Sequence, residues 1–191
     1  MMPAKLTVEL VPKPCWWSNL RSFFSPTQWA RLRSMVLERA SHLCEICGSK
    51  PSKGSPLHCH EIWSYNDLIL VQELVGLQSL CPRCHEVKHL GHTRLMGNLD
   101  RALVWLAQQN NWNIEEATAY AALQFRVWAS RSRHEWSCDL SLLKREYHLD
   151  PPRKIVSYRR RKLLFKTSRT STARPSPKLD SYLERKHSGS D

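Results

Sequence analysis

Two Cys-x-x-Cys pairs, Cys44-Glu45-Ile46-Cys47 and Cys81-Pro82-Arg83-Cys84, constrain this chain more than any other feature. Thiolates in two close pairs make a four-sulfur tetrahedral site of the kind that holds structural zinc. A clip through Cys44, Cys47, Cys81 and Cys84 forces the intervening segment to return on itself. That segment contains Leu57-His58-Cys59-His60-Glu61-Ile62, and His85 directly follows the last cysteine. Zinc held by four cysteines needs none of these histidines. Spare metal-binding side chains beside a closed site point to a second, open and reactive one.

The rest of the composition fits an ordinary domain with appendages. The chain has 191 residues, 41% of them hydrophobic, and no apolar run long enough for a transmembrane helix. The N-terminus lacks the basic-then-apolar pattern of a signal peptide, so a cytoplasmic, reducing setting is expected, where paired cysteines bind metal rather than form disulfides. Cys15, Cys59 and Cys138 are left over and read as small apolar core residues. The net charge of +12 is concentrated in residues 151–191, which hold +9 of it around Arg159, Arg160, Arg161 and Lys162. That tail is rich in Ser, Thr and Pro and too poor in large apolar residues to order itself. Basic residues of this kind gain affinity for polyanions by releasing counterions from phosphates, although a tail that only solubilises the chain has the same composition.

The pattern predicts an α+β chain in four regions: an irregular segment and support helix over 1–40, a metal module over 41–92, a helical support region over 93–150, and the basic tail over 151–191. The first fourteen residues read as irregular, with Trp16 and Trp17 packing onto the body. A helix is expected from Pro26 to about Ala40, with a capping box of Ser25 and Gln28 and with Trp29, Leu32, Val36 and Ala40 on one face. Short strands are expected at His58–Ile62 and Leu74–Leu80. Pro82 opens a helix expected to run to about Leu90 and to end at Gly91. On it, His85 and His89 stand one turn apart on one face and can grip one divalent ion, with His60 as a third ligand if the strand lies alongside. Leu95, Leu99, Leu103 and Leu106 read as core. Asn113 and Glu116 read as a capping box for a helix with Ala117, Tyr120, Ala121 and Trp128 inward. Arg126, Arg131 and Arg133 are candidates for phosphate contact.

With these residues in view, the chain resembles the HNH (ββα-metal) endonuclease superfamily. Cys44 to Cys47, the strand His58-Cys59-His60-Glu61-Ile62, and Leu80-Cys81-Pro82-Arg83-Cys84-His85-Glu86-Val87-Lys88-His89 carry the resemblance. It is also similar to a bacterial and phage subgroup with a Cys-His-Glu-(Val/Ile)-Trp-x-Tyr signature, here Cys59 to Tyr65. The resemblance is firmest over residues 44–92. It implies a zinc-clipped ββα-metal module flanked by helices, hydrolysing DNA (or RNA) phosphodiester bonds with structural zinc and with Mg²⁺ or another divalent ion at the catalytic centre. It also implies that His60 and His85 bind the catalytic metal and that His89 matches a further ligand found in colicin-like members. Glu61 stands where the family has its water-activating histidine, and Gly76 stands near the place of the middle asparagine. Asn66 is the nearest other asparagine, but its position is not equivalent.

Phosphodiester hydrolysis needs an activated water and a cation on the developing charge. Two assignments stay open within the set His60, Glu61 and His85. Either Glu61 is the base beside a His60/His85/His89 metal site, or His60 is the base and Glu61 or His85 holds the metal. Histidine has a suitable pKa without tuning, whereas glutamate needs burial to raise it. The rival reading is a catalytically inactive zinc module that binds nucleic acid or protein, which has no use for converging His60, Glu61, His85 and His89. A zinc hydrolase of small molecules fits poorly with the basic charge and the lack of a His-Glu-x-x-His helix.

Overall fold

The computed structural model describes residues 3–16 and 19–150. Trp17 and the basic residues Arg159, Arg160, Arg161 and Lys162 lie outside the described residues. The architecture is mixed α+β. Helix α1 (Pro26–Arg39) leads to an antiparallel hairpin of β1 (His58–Asn66) and β2 (Val71–Leu80), followed by α2 (Pro82–Lys88) and α3 (Leu90–Leu95). Helices α4 (Leu99–Asn110) and α5 (Ile114–Arg131) then pair. The short strand β3 (Ser137–Asp139) joins β2 in parallel, giving the sheet order β1-β2-β3, and α6 (Ser141–Tyr147) closes the described chain. No helix among the described residues is long and apolar enough to cross a membrane.

Helix α1 begins as its sequence dictates. The Ser25 hydroxyl accepts the Gln28 N–H and the Gln28 side chain accepts the Ser25 N–H, so two donors with no partner in the helix are satisfied. Leu32 and Val36 are fully buried beneath it. It ends on Ser41 and His42, both left-handed at φ 51° and 53°, which turn the chain back toward Cys44. Helix α5 starts on the expected Asn113–Glu116 box.

The hairpin lies between two apolar clusters. One gathers Leu6, Val8, Leu80, Val87, Leu90 and Leu106 under α2, α4 and α5, and the other gathers Leu20, Leu32, Leu74, Leu77 and Leu143 under α1 and α6. Cys59 packs against both, half-buried, as is Cys138, while Cys15 is fully buried. Both strands run longer than the sequence pattern suggests, because β1 continues to Asn66 and β2 starts at Val71. The Asn66 side chain accepts the Leu68 and Ile69 N–H groups, so it builds the hairpin turn. A register shift follows Ile62, which pairs with Gly76 while Trp63 pairs with Leu74. At Gly76 a Cβ would stand 3.3 Å from Ile62 Cδ1, so this glycine serves close strand contact.

Two expectations need correction. Gly91 does not end the second helix. The break falls two residues earlier at His89 (φ −95°, ψ 42°), and Gly91 lies inside α3, where a Cβ would meet Leu10 Cδ2 at 3.3 Å. Leu95 is 83% exposed, because Gly97, at φ 74°, separates α3 from α4 before the helical stripe resumes. Residues 3–12 are irregular, as expected, and they reach into the core through Leu6 and Val8. Leu6 exchanges two hydrogen bonds with the Asn110 side chain, and the Glu9 N–H reaches the Lys88 carbonyl at 2.9 Å.

Candidate metal centres

The four paired cysteines converge. The Sγ atoms of Cys44, Cys47, Cys81 and Cys84 all lie within 4.8 Å of one another, with Cys47 and Cys81 at 3.6 Å. Local geometry explains how each pair is held. Gly48 takes φ 72° and donates its N–H to the Cys44 carbonyl, a turn that a left-handed glycine makes without strain. Cys81 caps α2, and its sulfur accepts the Cys84 N–H at 3.5 Å. The Trp105 indole N–H points at Cys84 Sγ at 3.3 Å, and the Arg83 guanidinium lies 3.7 Å above that indole ring. The thiols share protons: hydrogen bonds from Cys44 and Cys84 pull the Cys81 thiol down, and the same contacts push Cys44 and Cys84 up. This set can hold one closed structural ion such as zinc.

A second donor set lies beside it. His60 on β1, His85 on α2 and His89 at the α2 terminus each offer a ring nitrogen, again within 4.8 Å of one another. The rings of His85 and His89 are 4.5 Å apart, and His60 stands 4.9 Å from His89 and 5.4 Å from His85. Burial, together with the neighbouring imidazoles, pushes His85 down to about 2 and His89 down to about 4. Both rings are therefore neutral near pH 7 and keep a lone pair for a cation. His58, two residues before His60 on β1, stacks on the far ring of this set, 4.5 Å from His85.

Glu9, which the sequence reading left out, completes the arrangement. Its Oε2 accepts a hydrogen bond from His60 Nε2 at 3.0 Å, and its Oε1 pairs with Lys88, whose ammonium also bonds the Thr7 hydroxyl. Burial alone raises the Glu9 carboxyl, but the His60 hydrogen bond and the Lys88 charge outweigh it and hold Glu9 below the usual range. An ionised Glu9 makes Nε2 the protonated nitrogen of His60. The other nitrogen, Nδ1, is buried and has no hydrogen-bond partner among the described residues. A histidine held by a carboxylate on one nitrogen and unpartnered on the other is the arrangement that orients histidine ligands toward metals. The residues thus fit a divalent ion. A sequence signal for Glu9 existed in the alternation Leu6-Thr7-Val8-Glu9-Leu10, which buries Leu6 and Val8 and turns Thr7 and Glu9 to the other side.

Glu61 follows His60 but is used differently. Its Oε1 accepts the Leu20 N–H at 3.1 Å, and burial raises its carboxyl. Glu9, His60, Glu61 and His89 line a cleft of about 810 Å³ together with Trp63, Tyr65 and residues from the last turns of α5. Of the three arginines suspected of phosphate contact, Arg126 and Arg133 are exposed, whereas Arg131 forms a two-pronged pair with Asp67 at 2.7 and 2.8 Å.

No protein-family model, curated protein or solved structure matches this chain. The class that fold and sites define is a mixed α+β protein whose close four-cysteine cluster can hold a structural metal.

Proposed function

We propose that this chain is an HNH-type, metal-dependent endonuclease that hydrolyses DNA phosphodiester bonds, with zinc at the four cysteines and Mg²⁺ or a similar divalent cation at the histidines. The observation that carries the reading is the convergence of His60, His85 and His89 within 4.8 Å, next to a sulfur cluster that fixes the strand and helix bearing them. A closed site beside an open one separates structural from reactive metal, since a purely structural module gains nothing from a second donor set of which His60 and His89 line a cleft.

A divalent ion at the histidines would supply neutralisation of charge on the scissile phosphate. The protein's own groups do the rest. Glu9 holds His60 in one tautomer and orientation, and Lys88 keeps Glu9 ionised. Glu61 lines the cleft beside His60 and His89, and burial raises its carboxyl, which supports it as the group that accepts the proton of an attacking water. This favours the assignment in which Glu61 is the base and His60, His85 and His89 are ligands, because one donor atom from each of the three histidines converges within 4.8 Å. The basic tail adds salt-sensitive affinity for backbone phosphate without sequence selection.

The test is nicking of supercoiled plasmid by the 191-residue chain with Mg²⁺, Mn²⁺ or Ni²⁺, alongside His85→Asn and Glu61→Gln. Metal-dependent nicking lost in both variants, with the sulfur-bound zinc still at full occupancy, supports the enzyme. A wild-type protein that shifts DNA on a gel and never nicks it defeats the enzyme reading and leaves the binding module.

A further inference from the structure

We propose that the cleft beside the histidines receives an unstacked nucleobase of single-stranded DNA, with the adjoining phosphate beside His60 and His89. Only the position of that phosphate rests on the nuclease reading. The cleft's volume of about 810 Å³ falls in the range of sites that enclose a small planar ligand. Its walls carry six aromatic side chains: Trp16, Trp63, Tyr65, Tyr120, Phe125 and Trp128. Helix α5 explains why so many rings stay uncovered. Only Ala117 and Ala121 are buried along its 18 residues, and its last turns present Gln124, Phe125, Val127 and Trp128 to the cleft.

The rings are held ready. The indole N–H groups of Trp16 and Trp128 both donate to the Val11 carbonyl, at 2.9 and 3.0 Å. Their polar edges are satisfied while Trp16 remains 62% exposed, so an incoming ring meets an apolar platform that is already oriented. Cations stand over these rings. Lys13 lies 5.3 Å from Trp128, Arg94 lies 5.6 Å from Phe125, and Arg131, although paired with Asp67, lies 4.6 Å from Tyr65. Aromatic platforms edged by cations match a planar base strung between phosphates. Paired bases in a duplex are stacked and cannot enter a recess, whereas an unpaired base can.

The experiment is fluorescence anisotropy of the 191-residue chain in Ca²⁺, using a short dye-labelled oligothymidine and a hairpin duplex of similar length. The single strand is expected to bind about tenfold more tightly. Trp128→Ala and Trp16→Ala should each weaken single-strand binding about tenfold and leave duplex binding unchanged. Trp128→Phe should retain most of the affinity, and Trp16, being exposed, can be removed without a folding defect. Equal affinity for both probes, or parallel losses on both in the variants, overturns the inference. Cleavage is not read here, so an inactive protein that keeps the single-strand preference upholds the cleft and sinks only the nuclease.

Discussion

Glu9 and His60 are separated by 51 positions in sequence and joined by a 3.0 Å hydrogen bond between Oε2 and Nε2. Through this contact the N-terminal segment fixes a ring on the central strand. The same carboxylate neutralises Lys88, which is only 4% exposed. Orientation of the histidine cluster and burial of a charged lysine therefore depend on one side chain.

Removing Glu9 should show both roles. Glu9→Ala leaves Lys88 buried and unpaired, and the expected loss of stability is about 3–5 kcal/mol. The double variant Glu9→Leu with Lys88→Met should recover most of that loss, because an apolar pair replaces the buried ions. It should not recover the centre: Mn²⁺ affinity at the histidines is expected to stay about 10- to 100-fold weaker than in the wild type. Urea melts and calorimetric Mn²⁺ titrations check the two halves, and a double variant with wild-type Mn²⁺ affinity would remove Glu9 from the centre.

The sulfur cluster should be indispensable to folding. Structural zinc contributes on the order of 10 kcal/mol, which rivals the whole stability of a domain. Cys84 is fully buried and bonded by Trp105, so Cys84→Ser should yield an unfolded, zinc-free chain. Elemental analysis and thermal melting decide this. One zinc per chain with a normal melt in the variant would show that the clip is not structural.

The start of α1 offers a local measure of stability. Ser25→Ala removes one side of a complete capping box and should cost about 1 kcal/mol, with Ser25→Asp near neutral. The helix bears Arg33, which donates to the Leu57 carbonyl at 2.7 Å at the mouth of the hairpin. Chemical denaturation of the three proteins gives the comparison, and equal midpoints would mean that the cap contributes nothing.

Asp67 gives a pH dependence. Its hydrogen bonds from Arg131 hold the carboxyl below its ordinary value, so the pair contributes stability above the unfolded pKa and loses it as pH falls through the folded one. The Asp67 side chain is 58% exposed, and solvent screening keeps the contribution to about 0.2–1 kcal/mol. Wild type should exceed Asp67→Asn by that amount at pH 7, with the gap closing below about pH 4. A constant gap across this range would assign the effect to something other than the ion pair.

Much of the scaffold was legible because it depends on local chemistry. The Ser25–Gln28 and Asn113–Glu116 boxes lie within one helical turn and formed as expected. The convergence of His85 and His89 follows from helical spacing. Gly91 misled, since a glycine that ends a helix and a glycine that admits a neighbour look alike in sequence. Only the position of Leu10 tells them apart.

By itself, the sequence determined which donors could share an ion, because two Cys-x-x-Cys pairs and histidines spaced by one helical turn have few geometries open to them. The tertiary structure decided which side chains stand next to those donors. Glu9 reached His60 because alternation in an extended segment crossing α2 aimed it there, and Glu61 reached the cleft through the path of β1. The aromatic recess exists because α5 outruns the helix packed against it. Long-range packing of this kind is a balance of many weak contacts, and no short stretch of sequence carries it.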